Sequence, residues 1–597
     1  MNARTRNVLP LLLVLGNCCA PLISLAQSAA GTPTGKSVVN SPHNLSATGP
    51  GTIRATGEQQ VCIFCHTPHN ASPIQPLWNR HVPVAAYIPY TSTSMQAQPG
   101  QPTGTSKLCL SCHDGTIALG SVISRNQPIA MAGGMTTLPP GHRANLGTDL
   151  SDDHPISFRY DAALATKDPK LRHPTSLAPQ TRLDSQQELQ CTTCHDAHNN
   201  QFGNFLVMDN SKSQLCRSCH NTEQTEVAAH IECASCHQPH TAPSGAYLLR
   251  GVTVRDACGR CHGGQVVSAA GAAGAIQGKN VLAEFLKMSN HDRPGPIDPA
   301  KIVTSQSNCN DCHGSHSMGV GAAAAPNIPP GLGAVAGVNS AGALIPRAQF
   351  EYEVCFKCHS GATGGTSAIK PPGITRQVTQ PDIRLQTAPS AVSFHPVQVS
   401  GKNTDVPSLI PTLTTSSMIY CSDCHASDTA DAAVAGAGTG VKGPHGSNVF
   451  PLLRAQYDRQ DNLAESSATY ALCYRCHERI SILANESFTF HSKHIVDSKT
   501  SCSVCHDSHG IPAGQGTPTN HAHLINFDTS VVQRDRITNR LEYITNGQRA
   551  GTCYLTCHNV DHSPKSYPAA AGGLGGAGAI PAPNRVISPA PLIPRKH

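Results

Sequence analysis

The chain has 597 residues; 4% are aromatic, with a single tryptophan, 13% are charged, and it carries Gly 51 and Pro 46. So few large side chains exclude an ordinary multidomain enzyme with well-filled cores, and leave either extensive disorder or a non-protein filling of the interior. The formal net charge of +6 comes with no basic stripe and no interleaved aromatics, which excludes nucleic acid as a partner.

Residues 1–26 read as a secretory leader. Arg4 and Arg6 precede an apolar run from Leu9 to Leu15, and Ser24-Leu25-Ala26 suits cleavage before Gln27. The run is too short to span a bilayer, and no later segment is long enough. Cys18 raises a lipoprotein alternative, against which the preceding Asn17 is larger than such signals use. The mature chain is therefore expected to be exported: periplasmic, outer-membrane-associated or extracellular.

Past a polar stretch, 27–60, that contains His43, a short motif begins to recur. Its copies are Cys62, Cys65, His66; Cys109, Cys112, His113; Cys191, Cys194, His195; Cys216, Cys219, His220; Cys233, Cys236, His237; and Cys258, Cys261, His262. The second half of the chain adds Cys309, Cys312, His313; Cys355, Cys358, His359; Cys421, Cys424, His425; Cys473, Cys476, His477; Cys502, Cys505, His506; and, with one extra residue, Cys553, Cys557, His558. Between the motifs, Val281 to Met288, Arg347 to His359 and a segment from Ala464 read as helical, and 529–546 reads as a strand pair turning at Thr538-Asn539 or Asn546-Gly547. Stretches 268–275, 317–345 and 361–420 read as linkers or extended chain, and 568–597 as a disordered tail.

Of the 26 cysteines, Cys18 and Cys19 fall in the leader, and the rest form twelve pairs each closed by a histidine. A disulfide framework explains an even number but not the histidine, and zinc half-sites do not need the fixed Cys-His adjacency. Cys-x-x-Cys-His is the attachment motif of c-type haem: on one helical turn i, i+3 and i+4 share a face, so both sulfurs and the proximal imidazole reach one porphyrin. About twelve covalently attached haems are expected, and they supply the missing core. The longer loop of the last motif is expected to bring both thiols to one haem edge as well. Two propionates against one ferric centre leave each haem about one charge negative, so the loaded chain is mildly acidic despite its formal charge.

The motifs alternate. Odd-numbered copies read Cys-His-x-x-His, adding His69, His198, His240, His316 and His509; even copies lack the second histidine. The ninth is the exception, with His445 arriving later, as if displaced by an insertion. The chain thus reads as six doubled motifs, within segments 27–165, 166–270, 271–365, 366–480 and 481–567. Each doubled motif also has a histidine upstream: His43; His154 or His173; His230; His291; His395; His494. One upstream and one downstream histidine per pair of haems predicts two imidazoles on every iron. His142, His491, His521, His523 and His562 are surplus candidates, while His81 and His597 read as solvent-exposed. The fold class expected is mostly irregular coil, with short α-helices at the haem sites and a few short strands, extended and packed on haem in six dihaem repeats.

Phe64-Cys-His-Thr-Pro-His69, Leu77-Trp78-Asn79, Cys109-Leu-Ser-Cys-His-Asp-Gly-Thr116, Gly443-Pro-His-Gly-Ser447 and His523-Leu-Ile-Asn-Phe527 resemble segments of the doubled-motif multihaem c-type cytochromes of metal-reducing bacteria. The resemblance covers nearly the whole mature chain, departing at the ninth motif and at the lengthened last one. It implies that His154, His445 and His523 are distal ligands. It implies an electron carrier acting with other redox proteins, with a porin or a filament as assembly, and with metal oxides as acceptor. The alternative is a multihaem reductase of a nitrogen or sulfur oxyanion. That enzyme requires one haem with an open distal seat, for which the lengthened twelfth motif is the suspect.

Overall fold

The computed structural model describes residues 37–72, 77–223, 225, 227–268, 275–276, 278–291, 308–361, 373–434 and 438–568. The leader with Cys18, the interior of the 268–275 linker, the tail beyond residue 568 and His597 lie outside the described residues. Among the described residues most of the backbone is turn and irregular, and the helices and strands are short and form no closed barrel. Among the described residues no helix is long and apolar enough to cross a membrane.

The chain divides into two compact units. One is residues up to Asn221 together with Pro239–Thr241; the other is Thr222–Gln238 and Ala242 onward. The first unit is built on small apolar clusters, such as Ala55, Ile63, Phe64, Leu119, Met131 and Leu138. Its longest helix, Gly104–His113, ends in the second motif and buries Leu108 and Leu110. Arg80 is 0% exposed between the first two motifs. Its guanidinium donates to the carbonyls of Leu119 (2.7 Å), Ser111 (3.0 Å) and Ala118 (3.0 Å). Nε adds a bond to Ser111 Oγ (3.3 Å), so a charge buried so completely persists because each of its nitrogens finds an acceptor. Buried Gln190 accepts from Ser106 Oγ (2.6 Å), which in turn accepts the amide of Cys191 (3.0 Å), so the third motif is pinned to the helix of the second.

In the second unit most motif helices are single turns: Cys233–Cys236, Cys309–Cys312, Cys421–Cys424 and Cys502–Cys505. Val254–His262 is longer and starts on a reciprocal cap, with Thr253 and Asp256 each bonding the other's backbone amide. Glu351–His359 lies within the span 347–359 but starts four residues later. The segment from Ala464 is not a helix; only Cys473–Arg475 coils, as a 3₁₀ turn, with Tyr470 buried just before it and Tyr474 donating its hydroxyl to Glu465 (2.9 Å). Val281 to Met288 likewise shrinks to a 3₁₀ turn, Glu284–Leu286.

The C-terminal sheet departs from a simple 529–546 pair. Gly551–Cys557 is its centre, pairing with Val560–Tyr567 on one edge. On the other edge it pairs with Glu542–Thr545 and then Val532–Gln533. Asn546-Gly547 lies in the turn between Glu542–Thr545 and the central strand, and Thr538-Asn539 in the loop before them. The sheet packs on Val504, Phe527, Tyr543, Leu555 and Tyr567, with Phe488 and Phe490 beside them. The last motif therefore sits on a strand, not on a helical turn.

Candidate haem sites

In eight of the motifs the histidine amide bonds to the carbonyl of the first cysteine, from 2.8 Å at His66 and His237 to 3.0 Å at His195. That i to i−4 bond closes one helical turn and brings both sulfurs and the imidazole to one side. The chain then leaves the turn extended and is caught in an isolated antiparallel bridge, His195 with Leu206, His237 with Leu249, His506 with Ile525, His66 with Trp78. The backbone of each such histidine is thus held on both sides. The 24 motif cysteines form no disulfide. Among the described residues no group of three or more His, Cys, Asp and Glu converges as a bare metal ion would require.

Histidine rings instead converge in pairs. His66 faces His198 at 5.9 Å between ring centres, His113 faces His43 at 6.1 Å, His195 faces His240 at 6.1 Å and His220 faces His154 at 6.2 Å. In the second unit the pairs are His237 with His316 (6.1 Å), His262 with His230 (6.2 Å), His313 with His445 (6.1 Å) and His359 with His291 (6.3 Å). They continue with His425 and His509 (6.0 Å), His477 and His395 (6.4 Å), His506 and His491 (6.4 Å), and His494 and His562 (6.4 Å). Two imidazoles on opposite sides of one metal, each about 2.0–2.1 Å from it, have ring centres about 6.3 Å apart. Direct stacking would be closer, as for His43 on Phe205 at 4.1 Å. The residues fit a haem held by two histidines.

Nδ1 is repeatedly occupied. It donates to the carbonyl of Ala144 from His113 (2.7 Å), of Asn204 from His195 (2.9 Å), of Tyr247 from His237 (2.8 Å), of Gly331 from His313 (3.0 Å) and of His523 from His506 (2.9 Å). This fixes the tautomer and leaves the Nε2 lone pair for a metal. Burial and a facing histidine lower the imidazole pKa to about 4 at His43, His154, His359, His425, His445 and His477, and burial with the nearby His523 and Arg376 does so at His506, so these rings are neutral at pH 7.

The facing histidines come in twos. A two-residue ladder joins Ser289–Asn290 to Gly446–Ser447 and sets His291 beside His445, with the His291 amide on the His445 carbonyl (3.3 Å). Gly446 is required there, since a Cβ would collide with the Glu284 carbonyl. A second ladder, Ser393–Phe394 with Gly510–Ile511, sets His395 beside His509. The His154 amide bonds Pro239 beside His240 (2.7 Å), and His43 Nδ1 bonds Ala197 beside His198 (3.3 Å). His491 and His494 share one turn, Nδ1 of the latter bonding Phe490 (2.8 Å).

Not every histidine singled out from the sequence stands opposite another. His69 is exposed and caps no ring pair among the described residues. His173 caps a 3₁₀ turn, accepting from Thr175. His523, at φ 57°, bonds Asn403 (3.1 Å) and lends its carbonyl to His506; it packs edge-on to Tyr543. His142 and His521 bond backbone locally, and His81 is exposed. His558 turns away: its Nε2 lies 2.6 Å from Asp461 Oδ2. His491 and His562, surplus in the sequence, are the histidines that face His506 and His494.

The thiols mark how neighbouring motifs meet. Within doubled motifs the second cysteines lie close enough to raise one another's pKa: Cys65 by Cys112, Cys194 by Cys219, Cys236 by Cys261, Cys424 by Cys476, Cys505 by Cys557. Between doubled motifs the first cysteine of one meets the first of the next, with hydrogen-bonded thiols at Cys109–Cys191, Cys258–Cys309, Cys355–Cys421 and Cys473–Cys502.

A family model described as the doubled CXXCH motif matches residues 185–225 and 226–267, the third to sixth motifs. These matches indicate covalently bound haem c and point to haem-based electron transfer, consistent with a multihaem c-type cytochrome. No curated protein matches the chain.

Proposed function

We propose that the protein is a twelve-haem cytochrome of six dihaem repeats. It is exported and conducts electrons from a periplasmic donor towards an outer-surface or extracellular acceptor, such as another cytochrome or a metal oxide, as a soluble carrier, in a porin complex or in a filament. The observation that carries this reading is the set of twelve histidine pairs at 5.9–6.4 Å. When bound, each haem supplies a one-electron couple. The chain's own part would be to present two imidazoles to each haem, to hold many of the tautomers through Nδ1, and to bring successive motifs together through their cysteines. With a histidine on each side of the haem a substrate would have no route to the iron, which favours electron transfer over catalysis.

The pairing follows one rule. The even-numbered motif of a repeat takes the upstream histidine of its own repeat: His113 takes His43, His262 takes His230, His477 takes His395. The odd-numbered motif takes the downstream histidine of the next repeat: His66 takes His198, His237 takes His316, His425 takes His509.

The test is intact mass with low-temperature EPR on the oxidised protein. Twelve haems, all low-spin, are expected. A substantial high-spin signal in the untreated protein would favour an open site and the oxyanion-reductase alternative.

A further inference from the structure

The last motif departs from the other eleven in spacing and in secondary structure, and the two departures have one explanation. A Cys-x-x-Cys spacing suits a helical turn, but on a strand an odd separation points two side chains to opposite faces. Cys553 and Cys557 are four apart on the strand Gly551–Cys557, so both thiols share a face, the face of Leu555, and pack on the same apolar cluster. By the same alternation the residue after Cys557 cannot join them. His558 begins the hairpin turn, with His558 and Asn559 both at positive φ (49° and 63°), the conformation of a type I′ turn. Its Nε2, the atom that other motif histidines leave free, is taken by Asp461 at 2.6 Å.

The returning strand brings another histidine to that face. His562 is the cross-strand partner of Leu555. Cys557 is then its diagonal neighbour, at about 7–8 Å in an antiparallel pair, while a bulge interrupts the ladder towards Cys553, which pairs with Lys565 and packs on the same apolar cluster. On the far side stands His494, 6.4 Å away between ring centres and 29° from parallel. Its Nδ1 is bonded to Phe490 (2.8 Å), so its Nε2 is available. Phe488 stacks on His494 and packs on Tyr567 at the end of the hairpin, tying the two sides of the site together.

We propose that the twelfth haem is held on a β-hairpin, with His562 and His494 as its axial ligands and with His558, the motif's own histidine, left as an ion-pair partner of Asp461. The inference rests on the multihaem reading above and deepens it at one site.

The experiment uses the full haem-loaded chain, with His562→Ala, His558→Ala and His562→Met compared with wild type by EPR, redox titration and intact mass. His562→Ala is expected to turn one haem high-spin at unchanged mass, and His558→Ala to leave every haem low-spin. His562→Met is expected to keep the site low-spin with a raised potential, and it serves if His562→Ala does not fold. A high-spin haem in His558→Ala, with His562→Ala and His562→Met both spectroscopically silent, overturns the proposal. So does a wild-type peptide carrying Cys553 and Cys557 without haem. Failure of the underlying reading looks different: a wild-type mass with no haem at any motif.

Discussion

At the scale of single residues, Asp153 is informative. It is almost fully buried, its Oδ1 accepts from Nδ1 of His240 at 2.9 Å, and the amide of Thr241 bonds the same oxygen (3.2 Å). Several other facing histidines give Nδ1 to a neutral carbonyl, as His395 does to Ser508 (2.7 Å). A carboxylate there pushes electron density onto the imidazole and stabilises the oxidised metal. Asp153→Asn is therefore expected to raise the potential of the haem between His195 and His240 while leaving it low-spin, which redox titration followed by EPR checks. His240→Ala should instead convert that haem to high-spin. Residue identity let the motif cysteines and most of the histidines be picked out from the sequence, because attachment chemistry is local. Which histidine faces which was not legible, because His198 meets His66 across 132 positions through tertiary packing alone. His523 was misplaced for the same reason: its ring meets Tyr543 and Asn403, and only its carbonyl reaches a motif histidine.

At the scale of elements, the protein has little regular structure, so a few buried polar groups do the work that long helices do elsewhere. Arg80 is the clearest. Its three carbonyl acceptors, on Ser111, Ala118 and Leu119, flank the second motif, and the guanidinium also lies close to the thiols of Cys65 and Cys112. Arg80→Met leaves those carbonyls unpaired in the interior and should cost on the order of 3 kcal/mol, read as an earlier thermal unfolding of the haem-loaded chain. Short helices around motifs were legible from spacing. The terminal sheet was not: the order in which 532–533, 542–545 and 560–567 flank the central strand depends on the apolar cluster beneath, not on local pattern. Deleting Tyr554 tests that geometry. The resulting three-residue spacing serves helical motifs, yet on this strand it sends one thiol to the opposite face, and mass spectrometry of the C-terminal peptide should then show a lost thioether.

At the scale of the whole molecule, the largest apolar clusters among the described residues hold six buried residues each. Such clusters cannot offset the entropy of ordering several hundred residues. Expressed without haem attachment, the chain should lack a cooperative thermal transition by circular dichroism; a compact apoprotein would contradict the proposed role of haem as core. The lending of histidines between repeats also makes truncation costly. A chain ending at residue 270 retains His237 but not His316, so its fifth haem should appear high-spin.

The paired facing histidines have a consequence for how such a chain grows. Each pair joins a repeat's own upstream histidine to a loop from its successor, as His291 does with His445. A gene duplication that copies one whole repeat adds a lender and a borrower together, so every iron keeps both axial ligands and the lengthened chain is competent at once. Copying half a repeat adds a borrower with no lender. On the proposed pairing the unit of inheritance is thus two haems, never one, and the repeat of the eleventh and twelfth motifs draws both histidines from a single turn at His491 and His494.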